Sequence, residues 1–210
     1  DLFFKRALQA IPQFNRLIIE TTGMADPGPI LANLMNEPVI ESVYRLDAVV
    51  VTIDSVYGLQ QIEENAEALK QAAVADVLVL TKTDLASSEQ INTLKEKLIS
   101  INPGATQHKI VHGELDPAFV IDVGLFDLAT KQPEPQRWLR APFKPAQPKG
   151  TLPQKSHNDE ITSFTVIMPS PLKWSELKPH LLSFCQKYGK KLLRLKGIIH
   201  ATDQPSPLAI

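Results

Sequence analysis

The sequence predicts an α/β fold, in which helices flank a mostly parallel sheet, followed by a small α+β domain. Three observations indicate this class. Over roughly the first 125 residues, short runs rich in branched residues alternate with runs of helical period, as in a parallel sheet covered by helices. A proline-rich segment at residues 131–157 then interrupts the alternation. Beyond it, a second and shorter set of strand and helix patterns follows.

Four strands are predicted before the proline-rich segment. Each is a short apolar run, and together they comprise residues 16–20 (RLIIE), 46–54 (LDAVVVTID), 75–80 and 106–111. The second run is almost continuously apolar and rich in valine, as expected for a strand that is buried on both faces.

Three helices are predicted between these strands. The first covers residues 29–36. The second is indicated by apolar residues that fall on one helical face, namely Leu59, Ile62, Ala66, Leu69 and Ala73. The third begins at a capping box made by Ser87 and Gln90 and stops before the Asn-Pro-Gly sequence at 102–104.

The proline-rich segment divides the chain into two predicted domains, residues 1–130 and 158–210. Six prolines between residues 131 and 155 prevent a helix or a central strand, so residues 131–157 are interpreted as an extended linker. The second domain is expected to be cut short at Ile210.

Within the second domain, the pattern predicts a strand, a helix and a second strand. Residues 161–168 alternate like a strand, and residues 174–188 have an apolar helical face that ends at Gly189. Residues 192–200 are predicted as a strand that is interrupted at Gly197.

Composition places the chain among ordinary globular proteins. It has 210 residues, 43% of them hydrophobic and 21% charged, with a net charge of −1. This balance gives no reason to expect nucleic acid or a membrane as a partner. The single cysteine, Cys185, cannot form an intrachain disulfide, which fits a reducing compartment, and we expect a cytoplasmic protein.

All four predicted strands of the first domain end in polar residues. They are Glu20, Asp54, the loop at residues 81–84 and His112. Because ligands of an open parallel sheet bind beyond the carboxyl ends of its strands, we expect these residues to lie on one rim.

The loop Thr81-Lys82-Thr83-Asp84 has the chemistry of a guanine-binding loop. The Asp84 carboxylate can accept two hydrogen bonds, from the ring N–H and the amino group of guanine, whereas adenine offers no such pair of donors. The stem of Lys82 can lie on the base while its ammonium stays solvated. Alternatively, Asp84 is only a turn or helix-cap residue, and from the tetrad alone the two interpretations are about even.

The tetrad Glu20-Thr21-Thr22-Gly23 directly follows the first predicted strand. A carboxylate at this position can hold the water shell of Mg²⁺, and a glycine just beyond it lets a backbone N–H approach a γ-phosphate. From this tetrad alone, an ordinary turn is the better interpretation. Together with the loop at 81–84, in this chain order, the functional interpretation is favoured.

These segments resemble the CobW-like family of metal-handling P-loop GTPases, the cobalamin-synthesis type. The resemblance rests on RLIIETTGMADPGPI, LDAVVVTID and VLVLTKTDL, and residues 193–197 (LRLKG) resemble the family's C-terminal domain. It implies a partial P-loop GTPase domain in a GTP-hydrolysing metallochaperone that delivers zinc or cobalt to a client metalloprotein.

The resemblance also implies roles for individual residues. Glu20 would act on Mg²⁺ through water, and Gly23 would sense the γ-phosphate. Lys82 and Asp84 would bind guanine, beside Thr81, where family members usually have Asn. His112 would be a metal ligand together with cysteines of the family's Cys-x-Cys-Cys motif.

Neither that cysteine motif nor the family's phosphate-binding loop is found in this sequence. We therefore expect the chain to lack its N-terminus and, by itself, to hydrolyse GTP negligibly, because no backbone cradle or lysine is left for the β- and γ-phosphates. The alternative is a non-catalytic scaffold that docks a metal-requiring client through residues 161–210. Whether the protein forms a homo-oligomer stays open.

One further cluster is a basic patch in the second domain. Its members are Lys187, Lys190, Lys191, Arg194 and Lys196. Such a patch is usually a solvated face, and the alternative is a docking surface for an acidic partner.

Overall fold

The computed structural model describes residues 5, 9–23, 25–123, 161, 164, 166–168, 170–189 and 191–210. The chain divides into two compact units, residues 1–46 and residues 47–210. The predicted linker at 131–157 lies outside the described residues. Among those that are described, no helix has the length and apolar character that a membrane crossing requires.

The described residues of the first unit include the helices α1 (Pro27–Asn36) and α2 (Pro38–Glu41). Helix α1 starts at its first proline, where the missing N–H has no intrahelical partner to lose. The Asp26 carboxylate caps it by accepting a hydrogen bond from the Gly28 N–H at 2.9 Å. The short helix predicted at residues 29–36 is therefore confirmed, with two more residues at its start.

The strand predicted at residues 16–20 is wrong in this structure. These residues have no strand assignment, and Ile18 is 82% exposed. An apolar run becomes a strand only where a neighbouring strand can pair with its N–H and C=O groups. No described residue pairs with residues 16–20 in this way.

The second unit is built on a parallel three-stranded sheet. Strands β1 (Val50–Asp54), β2 (Val77–Thr81) and β3 (Thr106–Lys109) lie side by side in that order. Val50 pairs with Val77, and Val77 pairs with Thr106. The first four residues of β2 are buried, as expected for a central strand. This arrangement confirms the predicted α/β class.

Three helices cover this sheet, namely α3 (Gly58–Glu64), α4 (Ala66–Val74) and α5 (Ser88–Ile101). The single helical face predicted from Leu59 to Ala73 is divided at Asn65, whose side chain accepts the Glu67 N–H at 3.0 Å and so starts a new helix. The predicted capping box before α5 is present in both directions, at 2.8 and 3.2 Å. The core lies between helices and sheet, and its fully buried members include Ala72, Leu78, Leu80, Leu94 and Leu98.

The C-terminal part contains α6 (Trp174–Tyr188) and a two-stranded antiparallel sheet of β4 (Ile198–Ile199) and β5 (Leu208–Ala209). The helix agrees with the prediction. The strand predicted at 192–200 is only two residues long, and the prediction at 161–168 is wrong for the described residues there, which have no strand assignment. Phe164, Val166, Ile167 and Met168 are all exposed, so neither face of the alternating pattern is buried at these residues.

Helix α6 is capped from a distant part of the chain. Asp203 accepts hydrogen bonds from the Trp174 N–H at 2.6 Å and from the Ser175 N–H at 3.0 Å. The hydrogen bond from Ser175 is the main reason that the pKa of Asp203 falls from 3.8 to about 2. The loop after β4 therefore orders the start of α6 as long as Asp203 is ionised.

A buried carboxylate joins the C-terminal segment to the start of β2. Asp76 is 5% exposed and accepts hydrogen bonds from the Val49 N–H at 2.8 Å and from the Arg194 guanidinium at 2.6 Å. Its other oxygen pairs with Lys196, and Arg194 also donates to the Val74 carbonyl. Burial lowers the pKa of Lys196, although Asp76 opposes this effect.

These contacts correct the interpretation of the basic patch. Arg194 and Lys196 neutralise a carboxylate of their own chain, so they are not part of a free surface for an acidic partner. A buried charge needs such partners because taking it out of water is costly.

We expect Asp76→Asn to lower the free energy of unfolding by about 3 kcal/mol or more, because it leaves two cations facing a neutral amide in a buried place. Urea denaturation followed by circular dichroism measures this. Glu63→Gln, on an exposed face of α3, is the matched control and should change stability by less than about 0.5 kcal/mol. An Asp76→Asn variant as stable as this control would contradict the assignment.

We expect Asp203→Ala to lower the melting temperature at pH 7, because the first N–H groups of α6 lose their acceptor. Since folding lowers the pKa of Asp203, its stabilising effect is complete above pH 3.8 and disappears as the pH falls towards about 2. Thermal unfolding across this range should therefore show wild type and variant converging at low pH. A difference that is constant from pH 7 to pH 2 would show that the carboxylate is not the cause, and Glu114→Gln serves as control.

Candidate functional site

The carboxyl ends of β1 and β2 lie beside each other. Asp54, the last residue of β1, is paired in register with Thr81, the last residue of β2. The Thr81 hydroxyl donates to the Ile53 carbonyl at 3.3 Å, and the Ser55 N–H donates to the Thr81 carbonyl at 3.0 Å. The Thr81 side chain therefore connects two strands at the point where the predicted guanine loop begins.

The same loop is also attached to the segment that follows β3. The Thr83 hydroxyl donates to the Ile110 carbonyl at 3.1 Å, and the Ile110 N–H donates to the Leu80 carbonyl at 2.9 Å. The loop at 81–84 is thus fixed on one side by β1 and on the other by the residue that follows β3. A binding group placed on such elements is held more precisely than one on a free loop.

Lys82 of the loop forms an ion pair with the end of β1. Its ammonium lies 2.7 Å from Oδ2 of Asp54, in an ion pair whose lysine side chain is 55% exposed and whose aspartate side chain is 17% exposed. Oδ1 of Asp54 accepts the N–H groups of Val56 at 2.7 Å and Tyr57 at 3.2 Å. Lys82 has a φ of 54°, in the left-handed region, where a non-glycine residue is uncommon.

Electrostatics agree with this geometry. Burial acts to raise the pKa of Asp54, but the hydrogen bond from Lys82 and those from the Val56 and Tyr57 N–H groups outweigh it, so the pKa lies below 3.8. The hydrogen bond to Asp54 is the main reason that the pKa of Lys82 lies above 10.5. Both groups are therefore charged at neutral pH.

Asp84 presents its carboxylate to solvent. It is exposed, and it accepts no hydrogen bond from any residue that the structure describes. The alternative role as a helix cap does not apply, because Ser87 caps α5. Asp84 lies in a turn closed by a 3.0 Å hydrogen bond from the Leu85 N–H to the Lys82 carbonyl, and its side chain takes no part in that turn.

His112 lies in a tight turn three residues after β3. Its φ is 53°, that of Gly113 is 80°, and the Glu114 N–H donates to the Val111 carbonyl at 3.0 Å. Its side chain is exposed. Within the described ranges, no three or more His, Cys, Asp or Glu side chains are grouped closely enough to hold a metal ion. The role of His112 as a ligand stays a prediction that needs ligands from elsewhere.

Glu20 and Gly23 belong to the first unit, whereas the other predicted site residues belong to the second. Glu20 is exposed and accepts no hydrogen bond from a described residue. Gly23 lies outside the left-handed region. Apart from its chain neighbours, no described residue has an atom within 4 Å of the place where a Cβ would stand. The fold of the described residues therefore does not itself require glycine at this position. That Glu20 lies on the same rim as Asp54, the loop at 81–84 and His112 stays a prediction.

Sequence reasoning missed the contact between Asp54 and Lys82. It identified Asp54 only as a polar strand end. The signal was available in the predicted parallel order, because the end of β1 must lie beside the residues that follow β2. The arrangement offers an anchored lysine stem and an unused carboxylate two residues apart in one fixed loop. These groups suit a flat heterocycle with two adjacent N–H donors.

Comparison with known proteins agrees with this geometry. A family model described as CobW/HypB/UreG, nucleotide-binding domain, matches residues 3–109. The zinc chaperone YjiA of Escherichia coli (strain K12) is 31% identical over 196 residues, which cover 93% of this chain and 57% of YjiA. Zinc-regulated GTPase metalloprotein activator 1 of Schizosaccharomyces pombe is 34% identical over 106 residues, 50% of this chain and 26% of that protein.

A solved structure shows the same relationship. The crystal structure of the Zn(II)-bound YjiA GTPase from E. coli superposes with a TM-score of 0.66 at 30% identity, over all of this chain and 61% of that chain. The chain thus spans less than two thirds of the length of these relatives.

Proposed function

The chain belongs to the CobW/HypB/UreG nucleotide-binding domain family, and on that basis we propose that it is part of a GTP-binding and GTP-hydrolysing metallochaperone. The cargo would be zinc or cobalt, delivered to or inserted into a client metalloprotein. The proposal depends most on Asp84, whose carboxylate accepts no hydrogen bond from a described residue, on a loop held by β1 and by the residue that follows β3. The zinc chaperone and GTPase names of the relatives support it.

Guanine recognition would fall to two side chains of the loop. Asp84 would accept the ring N–H and the amino group of guanine, and the stem of Lys82 would cover one face of the base. Thr81 would act indirectly, because its hydroxyl already connects β2 to the Ile53 carbonyl. This supports a loop in which threonine replaces the usual asparagine without loss of rigidity.

Phosphate chemistry would involve the first unit. Glu20 is exposed, and its carboxylate accepts no hydrogen bond from a described residue. Such a carboxylate can accept hydrogen bonds from the water molecules that surround Mg²⁺. When bound, Mg²⁺ neutralises charge on the β- and γ-phosphates. The Gly23 N–H would donate to a γ-phosphate oxygen, and loss of that phosphate after hydrolysis would release the loop.

The proposal also covers the transported metal ion, the cellular compartment and the client protein. His112, exposed in its turn, would contribute one ligand to the transported ion, and zinc is favoured because the relatives are named zinc chaperones. One half-buried cysteine, Cys185, leaves no need for an oxidising compartment, and we place the protein in the cytoplasm. A client metalloprotein would be the acceptor, and self-association of the GTPase remains part of the proposal to be tested.

We expect Asp84→Asn to weaken GTP binding in the full-length protein by about 10- to 100-fold, because a charged acceptor of two hydrogen bonds is lost. The variant should bind xanthosine triphosphate better than the wild type does, since the asparagine amide can donate to the xanthine carbonyl. Competition binding with GTP, ATP and xanthosine triphosphate measures both effects. Glu89→Gln, an exposed acid in the first turn of α5, is the control. Unchanged affinity for GTP would exclude Asp84 from the base site.

We expect Gly23→Ala to change the free energy of unfolding by less than about 1 kcal/mol, because a Cβ meets open space there. In the full-length protein the same methyl group should crowd the γ-phosphate. Single-turnover GTP hydrolysis should then fall about tenfold or more, and GDP binding should not change. Urea denaturation measures the stability, single-turnover assays measure the hydrolysis rate, and titration measures the GDP affinity. If the Gly23→Ala variant hydrolyses GTP at the wild-type rate, Gly23 is not part of the phosphate site.

A further inference from the structure

The contact between Asp54 and Lys82 is not explained by stability alone. The ion pair is largely open to solvent on the lysine side, and exposed pairs of this kind contribute little to folding. Yet Asp54 uses both of its oxygens, Oδ1 for the Val56 and Tyr57 N–H groups and Oδ2 for Lys82. The carboxylate is therefore fixed by its own backbone before it contacts the lysine.

Lys82 is constrained at both ends. Its backbone is held in the left-handed region between Thr81 and Thr83. The Thr81 hydroxyl donates to β1, and the Thr83 hydroxyl donates to the carbonyl of Ile110, directly after β3. Its ammonium is held by Asp54. A free lysine side chain loses rotamer entropy when it is ordered. Here much of that ordering is present before any ligand arrives, which lowers the free-energy cost of binding.

We propose that Asp54 is a positioning residue for guanine binding: it holds the Lys82 ammonium aside so that the alkyl stem of Lys82, rather than its charge, faces the base. This inference rests on the proposed function and adds a residue to its site. Asp54 itself does not touch the nucleotide. It acts through Lys82, and its effect must vanish when Lys82 can no longer form the ion pair.

The test separates the two contacts of the Asp54 carboxylate, namely the hydrogen bonds from its own turn and the ion pair with Lys82. Asp54→Asn keeps an oxygen that accepts the Val56 and Tyr57 N–H groups but removes the charge that holds Lys82, and Asp54→Ser does the same with a hydroxyl. The matched control is Asp116→Asn. Asp116 accepts the Ala118 N–H at 2.9 Å in a turn of the same two-residue spacing, with no ion pair recorded for it among the described residues.

The measurement is a double-mutant cycle on GDP affinity in the full-length protein, with Asp54→Asn, Lys82→Met and the double variant. We expect Asp54→Asn to weaken GDP binding about two- to fivefold at low salt, and less at high salt, because the pair is exposed. In the Lys82→Met background, the same change should have no effect. The control Asp116→Asn should bind GDP as the wild type does.

Three results would overturn this role. Equal GDP affinity of wild type and Asp54→Asn would show that the ion pair does not matter, and tighter binding by the variant would show that Asp54 competes with the ligand for Lys82. A loss that persists in the Lys82→Met background would indicate a general structural effect. If the wild type binds no guanine nucleotide at all, the proposed function itself fails. Should Asp54→Asn not fold, Asp54→Ser is measured in the same cycle.

Discussion

The pairing of the central strand β2 with both of its neighbours is the constraint on which the rest of the second unit depends. This strand has four buried residues. A buried structural carboxylate precedes it, and the candidate binding loop follows it. Asp76 precedes it and gathers Val49, Arg194 and Lys196 around one buried carboxylate. The loop at 81–84 follows it, about 16 Å away at the usual rise of a strand, and presents Asp84 to solvent. Structural charges and candidate binding charges are thus kept apart by one strand.

Three aspartates show how environment decides the use of the same side chain. Asp76 is buried, and its charge is neutralised by ion pairs with Arg194 and Lys196 of the segment LRLKG. Asp84 is exposed and accepts nothing from the described residues, so its charge is available to a ligand. Asp54 lies between these cases, because one oxygen serves its own turn and the other holds a lysine. Only the second and third lie at the edge where ligands of a parallel sheet bind.

The sequence was sufficient for features that depend on local chemistry. The valine-rich run of β1, the buried run of β2 and the capping box at Ser87 each specify an element through their own residues, and all three are present. It was insufficient where an element needs a distant partner. Residues 16–20 have a strand pattern but no strand to pair with among the described residues, and the cap of α6 comes from Asp203. The same contrast holds for the candidate site. The sequence predicted which residue types lie there, but the ion pair between Lys82 and Asp54 was visible only in three dimensions.

The central claim is that the carboxyl edge around the loop at 81–84 binds a guanine base. Titration of the isotopically labelled protein with GDP, followed by amide chemical shifts, tests it most directly. We expect shifts concentrated at residues 82–85 and 111–114, few shifts around Asp76 at the opposite end of β2, and a much weaker response to ADP. Equal responses to GDP and ADP, or shifts centred on Asp76, would contradict it.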